Sequence, residues 1–220
     1  MNVLEGCHAL ICRPMRRLLV LGAAALLVLG ACGSGDPESS PPTTKANDAN
    51  DALSLYEGAP PWPVADRQAD RMERAGVPLL RAEGKVVHYH AHLDVFYDGE
   101  EVTVPANIGL DYDRQVISPM HTHYDTGVIH VEADEEADFT LGQFLTEWGV
   151  KNGEGCVADK CGDEVAVFID GSIQDDDAAD VVIDADTEIA LVLGSKPADI
   201  PSGYDCAAAP QDACPNTPKP

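Results

Sequence analysis

Between Val86 and Tyr97 the chain alternates in a way that suits one regular conformation. In an extended strand successive side chains point to opposite faces. Val87, Tyr89, Ala91, Leu93 and Val95 therefore share one side, and His88, His90, His92 and Asp94 share the other. The first set is a core face, and the second is a row of imidazoles looking away from it. Asp98-Gly99 follows as a hairpin turn into a second strand, Glu101-Val102-Thr103-Val104. A strand of this kind has to be covered on its apolar side and paired along its edges.

Further partners are legible. Gly127-Val128-Ile129-His130-Val131-Glu132 reads as a strand, as do Glu164–Ile169 before the turn Asp170-Gly171 and Glu188–Leu193. Thr140–Gly149 reads as a helix with Thr140 as N-cap, Gly149 as the stop, and Leu141, Phe144, Leu145 and Trp148 on one stripe. A shorter helix is expected over Asp66–Ala75, closed by Gly76 and Pro78. This order implies an α+β fold, a small mixed β-sheet packed on one main helix in a β-grasp-like arrangement, with a small β-barrel as the alternative. The expected divisions are a leader over residues 1–31, a flexible Gly/Ser/Pro/Asp tether over 32–60, a short helix and lead-in over 61–84, the His-rich domain over 85–195, and a Pro/Ala/Cys tail over 196–220.

The leader has Arg16-Arg17 ahead of the apolar run Leu18–Leu29, then Gly30-Ala31 before Cys32, the layout of a secretory signal peptide. The run falls short of the roughly 20 residues a membrane span wants, so an uncleaved anchor helix is the weaker alternative. Leu29-Gly30-Ala31-Cys32 resembles the lipobox of bacterial lipoproteins. That resemblance implies cleavage before Cys32, its diacylglyceryl modification, and anchoring to the extracytoplasmic face of a membrane. Met15 is an alternative start, because Met1–Pro14 adds nothing a signal peptide needs.

Without Cys7, Cys12 and the lipidated Cys32, four cysteines remain: Cys156, Cys161, Cys206 and Cys214. An even number outside the cytoplasm reads as disulfides. Three pairings are possible, and proximity favours Cys156–Cys161 and Cys206–Cys214. A thiolate pair at Cys156 and Cys161 gripping a soft metal is the alternative.

The net charge of -24 argues against nucleic acid and against electrostatic docking on anionic lipid, since both demand clustered Lys and Arg. A hydrophobic share of 45% argues against wholesale disorder. The acid runs Asp134-Glu135-Glu136 and Asp175-Asp176-Asp177 lack the spacing of a calcium loop and read as solvated surface. Neither a phosphate-binding glycine loop nor a Gly-x-Ser-x-Gly elbow is present.

Of 7 histidines, all but His8 lie between His88 and His130. Positions i and i+2 of a strand are roughly 6.5–7 Å apart, so a His-x-His pair can converge on one ion. Two such pairs on different strands supply three or four nitrogens, a set that suits zinc or copper. The expected ligands are His90, His92, His121 and His123. His88, His130 and Glu132 stand as further ligands or as hydrogen-bonding partners of ligands. Three readings follow: a metal-binding protein, a metal-dependent hydrolase or oxygenase with Glu132 as base, and a metal-free interaction module with a His-lined face. The partner expected from sequence is the membrane, reached through lipid on Cys32, and the domain is expected to be monomeric.

Five short stretches occur together: His88-Tyr89-His90-Ala91-His92-Leu93, Val104-Pro105-Ala106-Asn107-Ile108-Gly109, His121-Thr122-His123, Gly127–Glu132, and Phe139–Phe144 with Trp148-Gly149. Together they resemble a family of secreted or lipid-anchored prokaryotic proteins without an assigned activity. The resemblance spans about residues 75–194. Members of that family place Asp directly after His-Thr-His, whereas here Tyr124 stands between His123 and Asp125. The resemblance implies the domain limits and the grouping of the histidines, and implies no reaction.

Overall fold

The alternating segment becomes the central strand β1 (Val87–Tyr97) of a seven-stranded mixed sheet. The structure is a computed structural model that describes residues 53–151, 153 and 155–204. Cys32 with the lipobox-like residues before it, and the cysteines Cys206 and Cys214, lie outside the described residues. Asp98, at a φ of 49°, and Gly99 turn the chain from β1 into β2 (Glu100–Val102). β2 stops at Val102, two residues short of the expected strand end. Its register runs from Tyr97↔Glu100 to Val95↔Val102, which leaves the earlier part of the same β1 edge to β6 (Val128–Ala133).

Two-residue strands β3 (Leu110–Asp111), β4 (Val116–Ile117) and β5 (Met120–His121) precede β6. β7 (Cys156–Val157) pairs with β8 (Lys160–Cys161), where the Cys156–Cys161 disulfide closes a hairpin. β9 (Val165–Ile169), β10 (Ser172–Ile173) and β11 (Glu188–Leu193) complete the main sheet. Its order is β10-β9-β11-β1-β6-β5, with β2 also on β1. β1 and β11 run parallel, and their other pairings are antiparallel. The run β2-β1-β11-β9, with a helix between β2 and β9, is the β-grasp-like arrangement expected from sequence. The sheet is open, with β10 and β5 at its edges, so the barrel alternative does not hold.

That helix, α2 (Leu141–Trp148), starts as its sequence requires. The Thr140 hydroxyl accepts from the Gln143 amide and the Gln143 side chain accepts from the Thr140 amide, a reciprocal cap. α2 packs beside α1 (Gln68–Ala75) on the apolar face of β1, and Leu93, Phe144, Leu145, Trp148, Met72 and Ile189 are all buried there. The segment before α1 is tied to the same core, Ser54 and Tyr56 of the expected tether included. Trp148 Nε1 donates to the Trp62 carbonyl (2.9 Å), Arg71 donates to Ser54, and the Tyr56 amide donates to Gly149.

The second face of the sheet is covered too. Phe168, Ala190 and Val192 are buried there, with Phe96 and Ile200 packed against them. His90 and His92 are buried as well, so of the imidazole row on β1 His88 is the exposed member. Among the described residues no helix is long and apolar enough to cross a membrane.

Candidate metal centre

Register places the histidines before any side chain is considered. His90 of β1 stands opposite His130 of β6, and His130 stands opposite His121 of β5. One rung thus carries an imidazole on each of three adjacent strands. The next rung sets His88 opposite Glu132. Facing residues of an antiparallel pair hold their Cβ atoms about 4.5–5.5 Å apart, close enough for rings to meet. His90 and His130 have ring centroids 4.4 Å apart, His123 and His130 4.6 Å, and His121 and His123 4.8 Å.

The His-Thr-His segment is locked by the loop before it. Thr122 is fully buried, its hydroxyl donates to the Pro105 carbonyl (2.8 Å), and the Ile108 amide donates to that same hydroxyl. The Asn107 amide donates to the Thr122 carbonyl and the Thr122 amide to the Ile108 carbonyl. Gly109, at a φ of 74°, closes the loop where a side chain would run into the Met120 carbonyl. The middle residue of the motif is therefore the anchor that aims the imidazoles on either side of it.

Proton positions follow from the partners. His121 Nδ1 lies 3.0 Å from the Ser118 carbonyl, which can only accept, so Nδ1 carries the hydrogen. Nε2 of His121 is left with a lone pair, and this buried atom has no hydrogen-bond partner. His130 Nδ1 is engaged with His90 Nε2 at 3.0 Å, while His130 Nε2 is buried without a partner. Glu132 Oε1 lies 3.2 Å from His88 Nε2, and its Oε2 is likewise buried and unpartnered. A ring nitrogen held by a carbonyl, with the other nitrogen vacant, is the usual state of a metal-binding histidine. Burial, reinforced by His130 and His88, pushes the His90 imidazole down to about 4 against the pull of Glu132. Burial, with His123 and His130 adding to it, pushes His121 down to about 3. Both rings stay neutral at ordinary pH and keep lone pairs to give.

Three overlapping groups bring ligand atoms within 4.8 Å of one another: His121, His123 and His130; His88, His90 and Glu132; and Glu83, His121 and Glu132. Each can hold a metal ion. His88 is exposed and His123 half-buried, so both stand at the rim of an otherwise buried cluster.

His92 does not join them, and the expected quartet of His90, His92, His121 and His123 is divided. Its rung neighbour on β11 is Glu188, and Nδ1 donates to that carboxylate at 2.9 Å. Nε2 donates to the Thr126 carbonyl at 2.8 Å, which Gly127, with a φ of 78°, allows to come close. Both nitrogens donate, so this ring is an imidazolium. Burial opposes that charge, but Glu188 and then Asp94 outweigh it and raise the pKa. Burial also raises Asp94, to about 6, with Glu188 adding to it and His92 opposing. Tyr204 stacks on the His92 ring, with centroids 3.9 Å apart. His92, Asp94 and Glu188 do form a group of possible ligands, but with neither ring nitrogen vacant His92 has nothing to give.

Four residues that sequence reasoning passed over prove important. Glu83 comes within 3.7 Å of His123 from the lead-in, where nothing in the local pattern marks it. Ser118 sets the His121 tautomer, and its hydroxyl donates to Glu147 (2.8 Å), whose full burial raises its carboxyl to about 8. Glu188 carried the one available signal, a charged residue opening an otherwise apolar strand. The acid runs Asp134–Glu136 and Asp175–Asp177 are exposed. Neither a known protein family, nor a curated protein, nor a solved structure matches this chain.

Proposed function

We propose that this is an extracytoplasmic, lipid-anchored protein that binds a transition-metal ion of the zinc or copper class at His121, His123 and His130. Its role would be sequestration, sensing or delivery of that ion. The observation that carries this reading is that three of the six buried side-chain atoms without partners among the described residues, His121 Nε2, His130 Nε2 and Glu132 Oε2, fall in this one histidine cluster. A buried polar atom left unpaired costs about 1–3 kcal/mol, so three of them together argue against a metal-free polar face. An ion held by His121, His123 and His130 would satisfy the two ring nitrogens at once. Nitrogen donors favour zinc, copper, nickel or iron(II) over calcium or magnesium. Glu132 sits among the ligand atoms of two groups, which suits a ligand better than a base for hydrolysis. The lipid anchor rests on Cys32 and the run before it, and the Cys156–Cys161 disulfide favours an oxidising compartment.

Metal analysis of the full chain, purified without an added His tag and then titrated with Zn(II) and Cu(II), tests the site. At least one equivalent should bind, and His121→Ala should weaken binding by tenfold or more. Metal content well below one per chain, with no uptake of either ion, would remove the proposal. Cys32→Ala should release the protein from membranes and abolish the diacylglyceryl mass. Retention with an unmodified Cys32 in the parent would count against the anchor.

A further inference from the structure

The cluster holds more ligands than one ion uses. Two groups that share no residue are present, His121, His123 and His130 on one side and His88, His90 and Glu132 on the other. A zinc-like ion takes four ligands, and its structural sites are almost always tetrahedral. The two groups meet where His90 Nε2 lies 3.0 Å from His130 Nδ1, and Glu132 Oε1 stands 3.9 Å from that same nitrogen. Glu132 spans them. It belongs to the group with His88 and His90, and also to a group with His121. Its Oε1 is turned to His88 at 3.2 Å, while Oε2 is buried and has no partner. A carboxylate within reach of ligand atoms on both sides can bridge a two-metal site, whose ions stand about 3.5–4 Å apart.

We infer that the chain holds two transition-metal ions, the second on His88, His90 and Glu132, with Glu132 bridging it to the first. This rests on the reading that His121, His123 and His130 hold an ion. The two sites differ in what they demand. At the first, the unpartnered nitrogens of His121 and His130 are ready. At the second, the His90 lone pair has to be withdrawn from its hydrogen bond with His130. The first ion therefore binds more tightly, and the second follows at higher concentration. His88, the exposed member, is the point of entry for the second ion.

Titration of the metal-free full chain with Cu(II), read by bound metal per chain and by electron paramagnetic resonance, decides the matter. The first equivalent should give an isolated Cu(II) signal. The second should bind at least tenfold more weakly and reduce the integrated signal per copper through coupling across Glu132. His88→Ala should take up one equivalent only, with an unchanged far-ultraviolet circular dichroism spectrum, because His88 is exposed. Glu132→Gln should abolish the coupling. One equivalent in both the parent and His88→Ala overturns the second site and leaves the first standing. Two equivalents with full, uncoupled signal overturn the bridge. No uptake at all overturns the underlying reading.

Discussion

His90 and His92 lie two residues apart on the same face of one strand, yet they are opposite in charge state. His90 meets other imidazoles, loses its proton affinity to burial, and stays neutral. His92 meets Glu188 and the Thr126 carbonyl, donates from both nitrogens, and stays charged. What differs is the neighbour on the next strand: β6 offers His130 to the first, and β11 offers Glu188 to the second. The same amino acid thus becomes a candidate ligand in one rung and half of an ion pair in the next. The first cluster keeps buried ring nitrogens without partners, while the second is already neutralised by its own carboxylates.

The sharpest way to break this contrast is Glu188→Ala. Removing one partner of a buried ion pair leaves His92 with only the more distant Asp94, 3.9 Å away, and about 3 kcal/mol should be lost in urea unfolding. Metal uptake should be unchanged once the variant is folded. If uptake falls with stability, the two clusters are not independent.

Next comes pH, where the clusters pull in opposite directions. His90 and His121 have folded pKa values below the ordinary imidazole value of about 6.5, so between those values the unfolded chain binds more protons. Their contribution is complete above about pH 6.5 and is lost as pH falls, down to about 4 for His90 and about 3 for His121. For His90 alone the loss amounts to roughly 3 kcal/mol. His92 has a raised folded pKa, so its contribution is complete below about pH 6.5 and is lost as pH rises through the folded value. Metal-free unfolding measured from pH 4 to 9 should show both limbs. His92→Leu with Glu188→Leu should erase the alkaline limb and leave the acid one. A protein equally stable from pH 6.5 to 4 would contradict the neutral cluster.

Thr122→Val removes the hydroxyl that both donates to Pro105 and accepts from Ile108. A loss of about 1–3 kcal/mol is expected, because buried groups are left unpaired, together with weaker metal binding as His121 and His123 lose their aim. The His92 limb of the pH profile should not move. His88→Ala, at an exposed residue whose Nε2 lies 3.2 Å from buried Glu132 Oε1, is the mildest change, at about 1 kcal/mol in stability. Its larger effect is on metal stoichiometry.

Much of this was legible because long patterns survive averaging. The alternation of β1, the Thr140-to-Gly149 helix and the apolar run of β11 each repeat a period often enough to be read locally. The strands missed, β3, β4, β5, β7, β8 and β10, have two residues each, too few to show a period. β5 is the costly omission, since it puts His121 into the rung with His130 and His90. Its formation depends on a pairing with β6 and on the clasp around Thr122, neither of which is local.

The sequence alone determined that a strand would carry imidazoles on one face, that one well-capped helix would cover the other, and that the histidines would gather within one α+β domain. Periodicity and capping are properties of neighbours along the chain, and they were enough for that. Only the tertiary structure decided which histidines share an ion's reach and which proton each keeps. Those outcomes hang on Glu188, 96 positions beyond His92, and on His130, 40 beyond His90. The register between strands selects such partners, and burial then converts a choice of neighbour into a choice of charge.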